Sequence, residues 1–277
     1  MDREGESMIM KIVALMEDTK GNELCMYEHG LSLYIETQKH RLLFDTGASE
    51  KTIKNAQQLG IDLRQVDTVI LSHGHYDHAG GIIPFSKINP SAKIWMQKKA
   101  NKDYYHGQKY IGIDKQIMKL PQVQTIEGNQ IIDEELFLFT HITGRQYFSA
   151  SNLELTEKIA GNDVLDSFDH EQCLVINEGQ KHILLSGCAH NGIMNIIETY
   201  KQLFHGYPDV VISGFHLSQK TTYTHQEVKN IQDLAHDLKH LPTQFYTGHC
   251  TGQQAYLIMK DIMKDKLHYL HCGDILS

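Results

Sequence analysis

The chain has 277 residues, 41% of them hydrophobic and 22% charged, a composition typical of a folded globular protein with a sizeable core. Its formal net charge of -8 argues against nucleic acid as the main partner, because phosphate backbones are bound by basic surfaces. The charge does not exclude a small anionic substrate, since a bound metal ion would supply its own positive charge. The sequence has no run of about 18 apolar residues, so we expect no membrane-spanning segment.

The N-terminus and the cysteines bear on processing and location. Residues 1–7 are polar and lack the apolar core of a signal peptide, so we expect a disordered extension followed by a single domain at residues 8–277. The five scattered cysteines favour reduced thiols in a cytoplasmic protein over a disulfide framework. They are Cys25, Cys173, Cys188, Cys250 and Cys272. The oligomeric state has no signal in the sequence.

The first part of the chain alternates predicted strands with a predicted helix. Val, Ile, Leu, Tyr and Phe predict strands at residues 11–15, 31–36, 41–44, 66–71 and 93–96. Residues 49–59 predict a helix that ends at Gly60. The region around residues 98–130 is polar and weakly periodic, so we predict an insertion of loops with a short helix. Such an insertion is either a substrate lid or an ordinary surface excursion.

The predicted strand at residues 66–71 leads directly into the most informative segment of the chain. Residues 73–78 read His-Gly-His-Tyr-Asp-His, and two glycines follow at positions 80 and 81. The four side chains of metal-binding type are His73, His75, Asp77 and His78. A turn after the strand would let all four converge, and imidazole with carboxylate suits zinc, iron or manganese. Histidine is plentiful here, with 18 residues, but this spacing favours a metal site over chance clustering.

The second half of the chain repeats the alternation of strands and helices. Strands are predicted at residues 136–140, 173–177, 182–185, 210–213, 245–247 and 267–271. Helices are predicted at residues 191–204, 225–241 and 253–263. The two halves therefore predict two layers of sheet, each covered by helices.

Further residues of metal-binding type lie just after predicted strands, where sites gather in layered α/β folds. They are Asp45, Cys188, His190, His216, His249 and Cys250. Each also has an ordinary structural explanation. Asp45 is suited to capping a helix, Cys188 to filling the core, and a histidine to facing solvent. We regard His216 as a substrate-binding residue in preference to a metal ligand.

These segments together resemble the metallo-β-lactamase superfamily, whose His-x-His-x-Asp-His signature matches residues 73–78. A narrower resemblance is to the metal-dependent hydrolases similar to dihydropterin ribofuranosyl-aminobenzene phosphate synthase. It rests on residues 44–47, 72–81, 170–172, 186–193, 214–217 and 248–252, which span almost the whole chain. The resemblance implies an α/β (α+β) fold, a four-layer αββα sandwich with a dinuclear metal site at one edge.

The resemblance also implies the metal ligands. The first metal would be bound by His73 and His75, and the second by Asp77, His78 and His249. His190 is our candidate to complete the set.

Two departures from the family pattern leave the remaining ligands open. The usual third motif, a histidine in a Gly-His-Thr context, is absent after the strand at 136–140, although His141 lies nearby. The usual bridging aspartate after a glycine is replaced by Cys188. Either Cys188 binds metal or His190 replaces the missing ligand, and the sequence does not decide whether Cys188 or His141 takes part.

The resemblance predicts one or two divalent metals per chain, with zinc preferred and iron or manganese as alternatives. A metal-bound hydroxide would attack an ester or phosphoester of a small anionic metabolite, and the metals would stabilise the oxyanion. Asp77 would orient the nucleophile as well as bind metal, and His216 would act as general acid or hydrogen-bond donor. Asp45 would fix the tautomer of a ligand histidine.

Three alternatives to a hydrolase remain. The subgroup's named member implies a pterin-related phosphoribosyl transferase or synthase. A metal-stabilised sensor or binding protein would keep the fold without turnover, although the complete motif at 73–78 weighs against it. A diiron redox role is disfavoured because position 75 is His, whereas the redox proteins of this type carry Glu there.

Overall fold

The computed structural model of the protein describes residues 10–276. The predicted extension at residues 1–7 lies outside this range, so it stays a prediction. No helix within residues 10–276 is both long and apolar enough to cross a membrane.

Residues 10–276 form eighteen strands and six α-helices, joined by loops and short 3₁₀ turns. The strands are β1 (Lys11–Met16), β2 (Ser32–Glu36), β3 (Arg41–Phe44), β4 (Thr68–Ile70), β5 (Lys93–Gln97), β6 (Tyr104–His106), β7 (Lys109–Tyr110), β8 (Val123–Ile126), β9 (Gln130–Ile131), β10 (Leu136–Phe139), β11 (Leu155–Ile159), β12 (Asn162–Leu165), β13 (Cys173–Glu178), β14 (Lys181–Leu185), β15 (Val210–Ile212), β16 (Gln244–Thr247), β17 (Leu267–Tyr269) and β18 (Ile275–Leu276). The helices are α1 (Lys51–Gln58), α2 (Tyr76–Ala79), α3 (Ile82–Ile88), α4 (Ile193–Phe204), α5 (His225–His240) and α6 (Gln253–Met263).

Two mixed sheets of seven strands carry the fold. The first has the order β18-β1-β2-β3-β4-β5-β8, and the second has the order β17-β16-β15-β14-β13-β10-β9. In the first sheet β3, β4 and β5 are parallel neighbours, and β1 runs the same way because β2 is antiparallel to both β1 and β3. In the second sheet β14, β15, β16 and β17 are parallel. The carboxyl ends of these strands therefore lie together at one edge of each sheet.

The alternation of side chains along the strands builds four layers. In β3, Leu42 and Phe44 face the core between the sheets, where they meet residues such as Leu174 and Leu185 of the second sheet. Leu43 faces the other way, into the core under α1 and α3. The outer face of the second sheet packs against α4, α5 and α6. The predicted αββα sandwich is confirmed.

A third, small sheet in the order β12-β11-β6-β7 joins two segments that are far apart in sequence. It covers a minor core of Tyr104, Ile111, Leu155 and Phe168. The sequence predicted only loops and a short helix here, because these strands are short and β12 is fully exposed. The predicted insertion around 98–130 also contains β8, which pairs with β5 as an edge strand of the first sheet. The assignment of residues 8–277 to one domain stays a prediction.

At the edge of the sandwich opposite those carboxyl ends, one histidine joins the two sheets. His40, in the β2–β3 turn, hydrogen-bonds Asp67 through Nδ1 at 2.8 Å and Asp133 through Nε2 at 2.5 Å. Asp67 precedes β4 of the first sheet, whereas Asp133 lies between β9 and β10 of the second. The hydrogen bond to Asp67, opposed by burial and reinforced by Asp133, raises the pKa of His40 to about 9.

Candidate metal centre

The motif at residues 73–78 turns sharply at the end of β4. Its last residues form α2, a single helical turn that carries Asp77 and His78. A Cβ on Gly80 would lie 2.1 Å from the carbonyl oxygen of Ala48, so only glycine lets this turn pack so closely on the loop after β3. All four side chains of metal-binding type in the motif are buried: His73, His75, Asp77 and His78. They converge as the spacing predicted.

Two imidazoles of the motif are oriented by the strand end next to them. His78 donates from Nδ1 to Asp45 Oδ2 at 2.6 Å. The Ser72 hydroxyl also donates to Asp45 Oδ2, at 2.7 Å, so its oxygen is left to accept from His73 Nδ1 at 2.8 Å. Asp45, the predicted partner of a ligand histidine, therefore holds His78 directly and His73 through Ser72. Both rings are left with a free lone pair on Nε2.

The second sheet contributes two more imidazoles that are held in the same way. His190 follows β14, and its Nδ1 donates to Asn152 Oδ1 at 2.9 Å. The ring of Phe168 stacks on His190 with centroids 4.6 Å apart and planes within 1° of parallel. His249 follows β16, and its Nδ1 donates to Asp18 Oδ1 at 2.6 Å. In all four rings the Nδ1 hydrogen is used by the protein, which leaves Nε2 to face the interior.

Three histidines form an inner set: His73, His75 and His190 can each offer a ligand atom within 4.8 Å of the other two. The Nε2 atoms of His73 and His190 are 3.3 Å apart. Two nitrogens bound to one tetrahedral Zn²⁺ at about 2.0–2.1 Å would be separated by about 3.4 Å. His75 Nε2 is buried and has no hydrogen-bond partner among residues 10–276. The inner set thus has the spacing and the unused lone pairs of a metal site.

An outer set consists of Asp77, His78 and His249. Asp77 Oδ2 lies 3.3 Å from His249 Nε2 and 3.6 Å from His78 Nε2. Cys188 Sγ lies 3.2 Å from His78 Nε2 and within 4.8 Å of the ligand atom of His73, so it sits between the two sets.

Of the two residues that the sequence left undecided, the structure brings Cys188 to the centre. His141 is exposed, after a strand that is two positions away from β14 in the sheet. His190 is also at the centre, so the two replacements weighed from the sequence, Cys188 and His190, are both present.

The protonation of these groups follows from their surroundings. Burial and the neighbouring His170 lower the pKa of His75 to about 3. Burial and the neighbouring histidines also hold the pKa values of His73 and His190 well below the usual range. Burial disfavours the Asp77 carboxylate, but His78 and His249 outweigh it and lower the pKa of Asp77 well below its usual value. The inner set is therefore neutral imidazole near pH 7, the form that binds metal.

Four of the ten non-glycine residues with positive φ among residues 10–276 lie at the centre. Asp45, Ala189, His216 and His249 have φ angles of 59°, 50°, 49° and 48°, in the left-handed region that non-glycine residues rarely adopt. Each costs conformational energy and is retained where the surrounding structure demands it, commonly at functional sites.

His216 lies beside the inner set, and with Cys188 and His190 it can also offer a ligand atom within 4.8 Å of the other two. Its ring centroid is 4.1 Å from that of His190, and its buried Nδ1 has no hydrogen-bond partner among residues 10–276. The side chain is half-buried, at the border between the centre and the loop that follows β15.

Several residues that support the centre were given no role from the sequence. Asp18 lies two residues beyond the end of β1, so the rule of strand ends would have found it. Glu171 accepts from the backbone nitrogen of His190 at 2.7 Å and fixes the turn after β14. Asn152 and Phe168 come from the inserted segments, which carry no sequence signal for this role. His29, beside Asp18, was also missed.

The chain is similar to known proteins over almost its whole length. The family profile described as Metallo-beta-lactamase superfamily matches residues 28–146. The 7,8-dihydropterin-6-methyl-4-(beta-D-ribofuranosyl)-aminobenzene-5'-phosphate synthase of Methanocaldococcus jannaschii is 29% identical, across 97% of this chain and 96% of that protein. An uncharacterized protein of the same organism is 28% identical, across 96% of this chain and 100% of that protein. A crystal structure described as a metal-dependent hydrolase of the beta-lactamase superfamily superposes with a TM-score of 0.80, at 29% identity, over 97% of this chain and 98% of that one.

Proposed function

Because this chain belongs to the metallo-β-lactamase superfamily, we propose that it is a metal-dependent hydrolase of an ester or phosphoester of a small anionic metabolite. The observation that carries the proposal is the surplus of buried imidazole nitrogens without partners. Nε2 of His75 and Nε2 of His249 are both buried without a hydrogen bond among residues 10–276. Such groups cost about 1–3 kcal/mol each when nothing binds them.

The donor set fits divalent metal ions. The inner set of three neutral imidazoles suits zinc, and the outer set adds a carboxylate, which zinc, iron and manganese all accept. We infer two metals, one at each set, with zinc preferred. A divalent metal bound there lowers the pKa of a coordinated water to about 7 and polarises the carbonyl or phosphoryl oxygen of a substrate.

Side chains of the protein would orient the attacking water and transfer protons. Asp77 is kept ionised, so it can accept a hydrogen bond from an attacking water while it faces His78 and His249. His216 presents Nδ1 without a partner among residues 10–276, so it can hold a proton for the leaving oxygen or donate to a substrate oxygen. Asp45 keeps His78 in the Nδ1-protonated tautomer throughout.

Two cationic side chains near the centre support an anionic substrate. Arg145 donates to Asn191 Oδ1 at 3.2 Å, one residue beyond His190. Lys109 donates to the hydroxyl of Tyr76, inside the motif, at 3.0 Å. Lys109 lies over the Tyr76 ring and Arg145 over the Phe148 ring, and from these positions each cation could bind a phosphate or carboxylate group of the substrate.

A second candidate is a synthase or phosphoribosyl transferase acting on a pterin-related substrate. It is favoured by the 29% identical 7,8-dihydropterin-6-methyl-4-(beta-D-ribofuranosyl)-aminobenzene-5'-phosphate synthase of Methanocaldococcus jannaschii, which aligns over 97% of this chain. A sensor or binding protein without turnover is the weakest alternative, because both ligand sets and His216 are present together. A cytoplasmic location is supported by the five cysteines, all of them buried and unpaired.

Metal analysis and a substrate screen test the proposal together. Purified protein should contain up to two equivalents of divalent metal. It should hydrolyse at least one class among nitrophenyl phosphodiesters, phosphomonoesters, thioesters and lactones. A chelator should abolish that rate, and added zinc, iron or manganese should restore it.

The same screen separates the candidates. Metal-containing protein that cleaves none of these compounds, but binds a pterin or a phosphorylated sugar tightly, would favour the synthase. Protein that binds no divalent metal after exposure to excess zinc and manganese would contradict both enzymatic proposals.

A further inference from the structure

A further imidazole, that of His29, lies beside the outer set. Its Nε2 is 3.4 Å from Asp77 Oδ2, the oxygen that His249 Nε2 and His78 Nε2 approach to 3.3 Å and 3.6 Å. The ring centroids of His29 and His249 are 4.7 Å apart. Three imidazole nitrogens from distant parts of the chain thus face one carboxylate oxygen.

One carboxylate orients two of these rings. Asp18 accepts from His249 Nδ1 through Oδ1 at 2.6 Å and from His29 Nδ1 through Oδ2 at 2.8 Å. Both Nδ1 hydrogens are used by Asp18, and both Nε2 atoms are directed at Asp77. A carboxylate that accepts the Nδ1 hydrogen of a histidine is the arrangement that orients metal ligands. Here one carboxylate, that of Asp18, does this for two histidines.

An ordinary surface histidine–aspartate pair would explain the contact with Asp18 but not the environment of Nε2. His249 is 2% exposed, and its Nε2 makes no well-aligned hydrogen bond among residues 10–276, although Asp77 Oδ2 lies 3.3 Å away. That orphaned nitrogen indicates that the space between His249, Asp77 and His29 accommodates a ligand.

The backbone fixes His29 in this position. Gly30, with φ of +157°, packs so closely that a Cβ there would lie 2.7 Å from the carbonyl oxygen of Asp77. Leu31 donates its backbone N–H to the same oxygen at 3.2 Å, and Gly30 donates to Asp18 Oδ1 at 3.2 Å. The two residues that follow His29 therefore fix the loop to α2 and to Asp18.

We propose that His29 is an additional protein ligand of the outer metal, an inference that rests on the proposed metal centre. The His29 side chain is 56% exposed, whereas that of His249 is 1% exposed, so His29 closes the outer set from the solvent side. The outer metal then has four protein side chains: His29, Asp77, His78 and His249. Four protein ligands are typical of zinc sites that hold structure, and three with an open position are typical of catalytic ones. The inner metal is therefore the one with a position left for substrate.

Zinc titration of the metal-free protein tests the assignment. Competition with a chromophoric chelator gives the number of equivalents and the affinity of each. We expect two equivalents in the wild type, and in His29→Ala an unchanged first equivalent with a second that binds at least 10-fold more weakly. His29→Gln should behave like His29→Ala, because the amide can keep a hydrogen bond to Asp18 but is a poor zinc ligand. His236→Ala, which removes an exposed histidine from α5, is the matched control and should bind as the wild type does.

The possible outcomes distinguish the role of His29 from the existence of the metal centre. Two equivalents of wild-type affinity in His29→Ala, or full recovery in His29→Gln, would overturn the role of His29 as a ligand and leave the metal centre intact. His249→Ala should lose the second equivalent in either case. A wild-type protein that binds no zinc would remove the metal centre itself, and the inference with it.

Discussion

The two edges of the sandwich use histidine in opposite ways. At one edge His40 lies between two carboxylates, Asp67 and Asp133, and its pKa is raised to about 9. At the other edge His75 lies among imidazoles, and its pKa is lowered to about 3. Both positions join the two sheets. At the first edge both ring nitrogens of His40 have a carboxylate partner. At the second edge His75 Nε2 has no partner among residues 10–276, and a cation would supply one.

The difference shows how a structural histidine is told from a metal-binding one. His40 has a hydrogen-bond partner for each ring nitrogen, so it needs nothing further. Among the histidines proposed as ligands, His78, His190 and His249 each donate from Nδ1 to a residue that orients the ring. The acceptors are Asp45, Asn152 and Asp18. Burial without partners on the remaining nitrogens is tolerated where function requires it.

The largest expected effect comes from removing an inner ligand. His75→Ala should abolish turnover and remove the inner metal, because two imidazoles alone hold zinc poorly. The protein should stay folded, since the substitution removes a buried polar atom that has no hydrogen-bond partner among residues 10–276. Metal content, hydrolysis rate and circular dichroism are the measurements. His236→Ala is the control, and full metal content with full rate in His75→Ala would refute the ligand assignment.

A smaller effect is expected from the residue behind the ligands. Asp45→Asn should weaken metal binding by about 10- to 100-fold, because the charge that orients His78 is lost. The expected loss is in metal affinity, so a high zinc concentration should restore most of the rate. Zinc titration followed by rate measurements checks this. A rate that stays low at saturating zinc would instead assign Asp45 to the chemistry.

The neutral acceptor behind His190 should matter less than the charged one. Asn152→Ala should weaken the inner metal by about 10-fold, at the lower end of such effects, because the lost acceptor carries no charge. Asn152→Asp keeps an acceptor for His190 Nδ1 and should bind metal at least as tightly as Asn152→Ala does. Zinc competition on both variants gives the comparison, and equal wild-type affinity in both would contradict the role of Asn152.

The opposite edge should affect stability and leave metal binding unchanged. The pKa of His40 is raised from about 6.5 in the unfolded chain to about 9, so its contribution is complete below pH 6.5 and is lost as the pH rises through 9. Partial exposure of Asp67 screens the pair, so we expect a contribution of about 1–2 kcal/mol to the free energy of unfolding.

Urea unfolding of the wild type and of His40→Gln, at pH 6 and at pH 10, measures that contribution. The difference between the two proteins should be larger at pH 6. A difference that does not change with pH would show that His40 is not charged in the folded protein, and a loss of zinc in His40→Gln would show that the two edges are coupled.

The sequence predicted eleven of the fourteen strands of the two large sheets, because each of these carries apolar residues that end at a turn. It missed β8, β9 and β18, which are short strands at the sheet edges. The proposed ligands followed from the same pattern, since parallel strands bring their carboxyl ends to one edge. Asp18 was not predicted, although it lies two residues beyond the end of β1. The third sheet was not predictable from local pattern, because β6 and β11 pair across about fifty residues.

The most direct test of the account is a crystal structure of the zinc-loaded protein with anomalous diffraction at the zinc edge. We predict one peak bound by the Nε2 atoms of His73, His75 and His190, and a second bound by Asp77, His78 and His249. Zinc bound in stoichiometric amount with its peaks away from these side chains would contradict the claim that the two sheets hold metal between them.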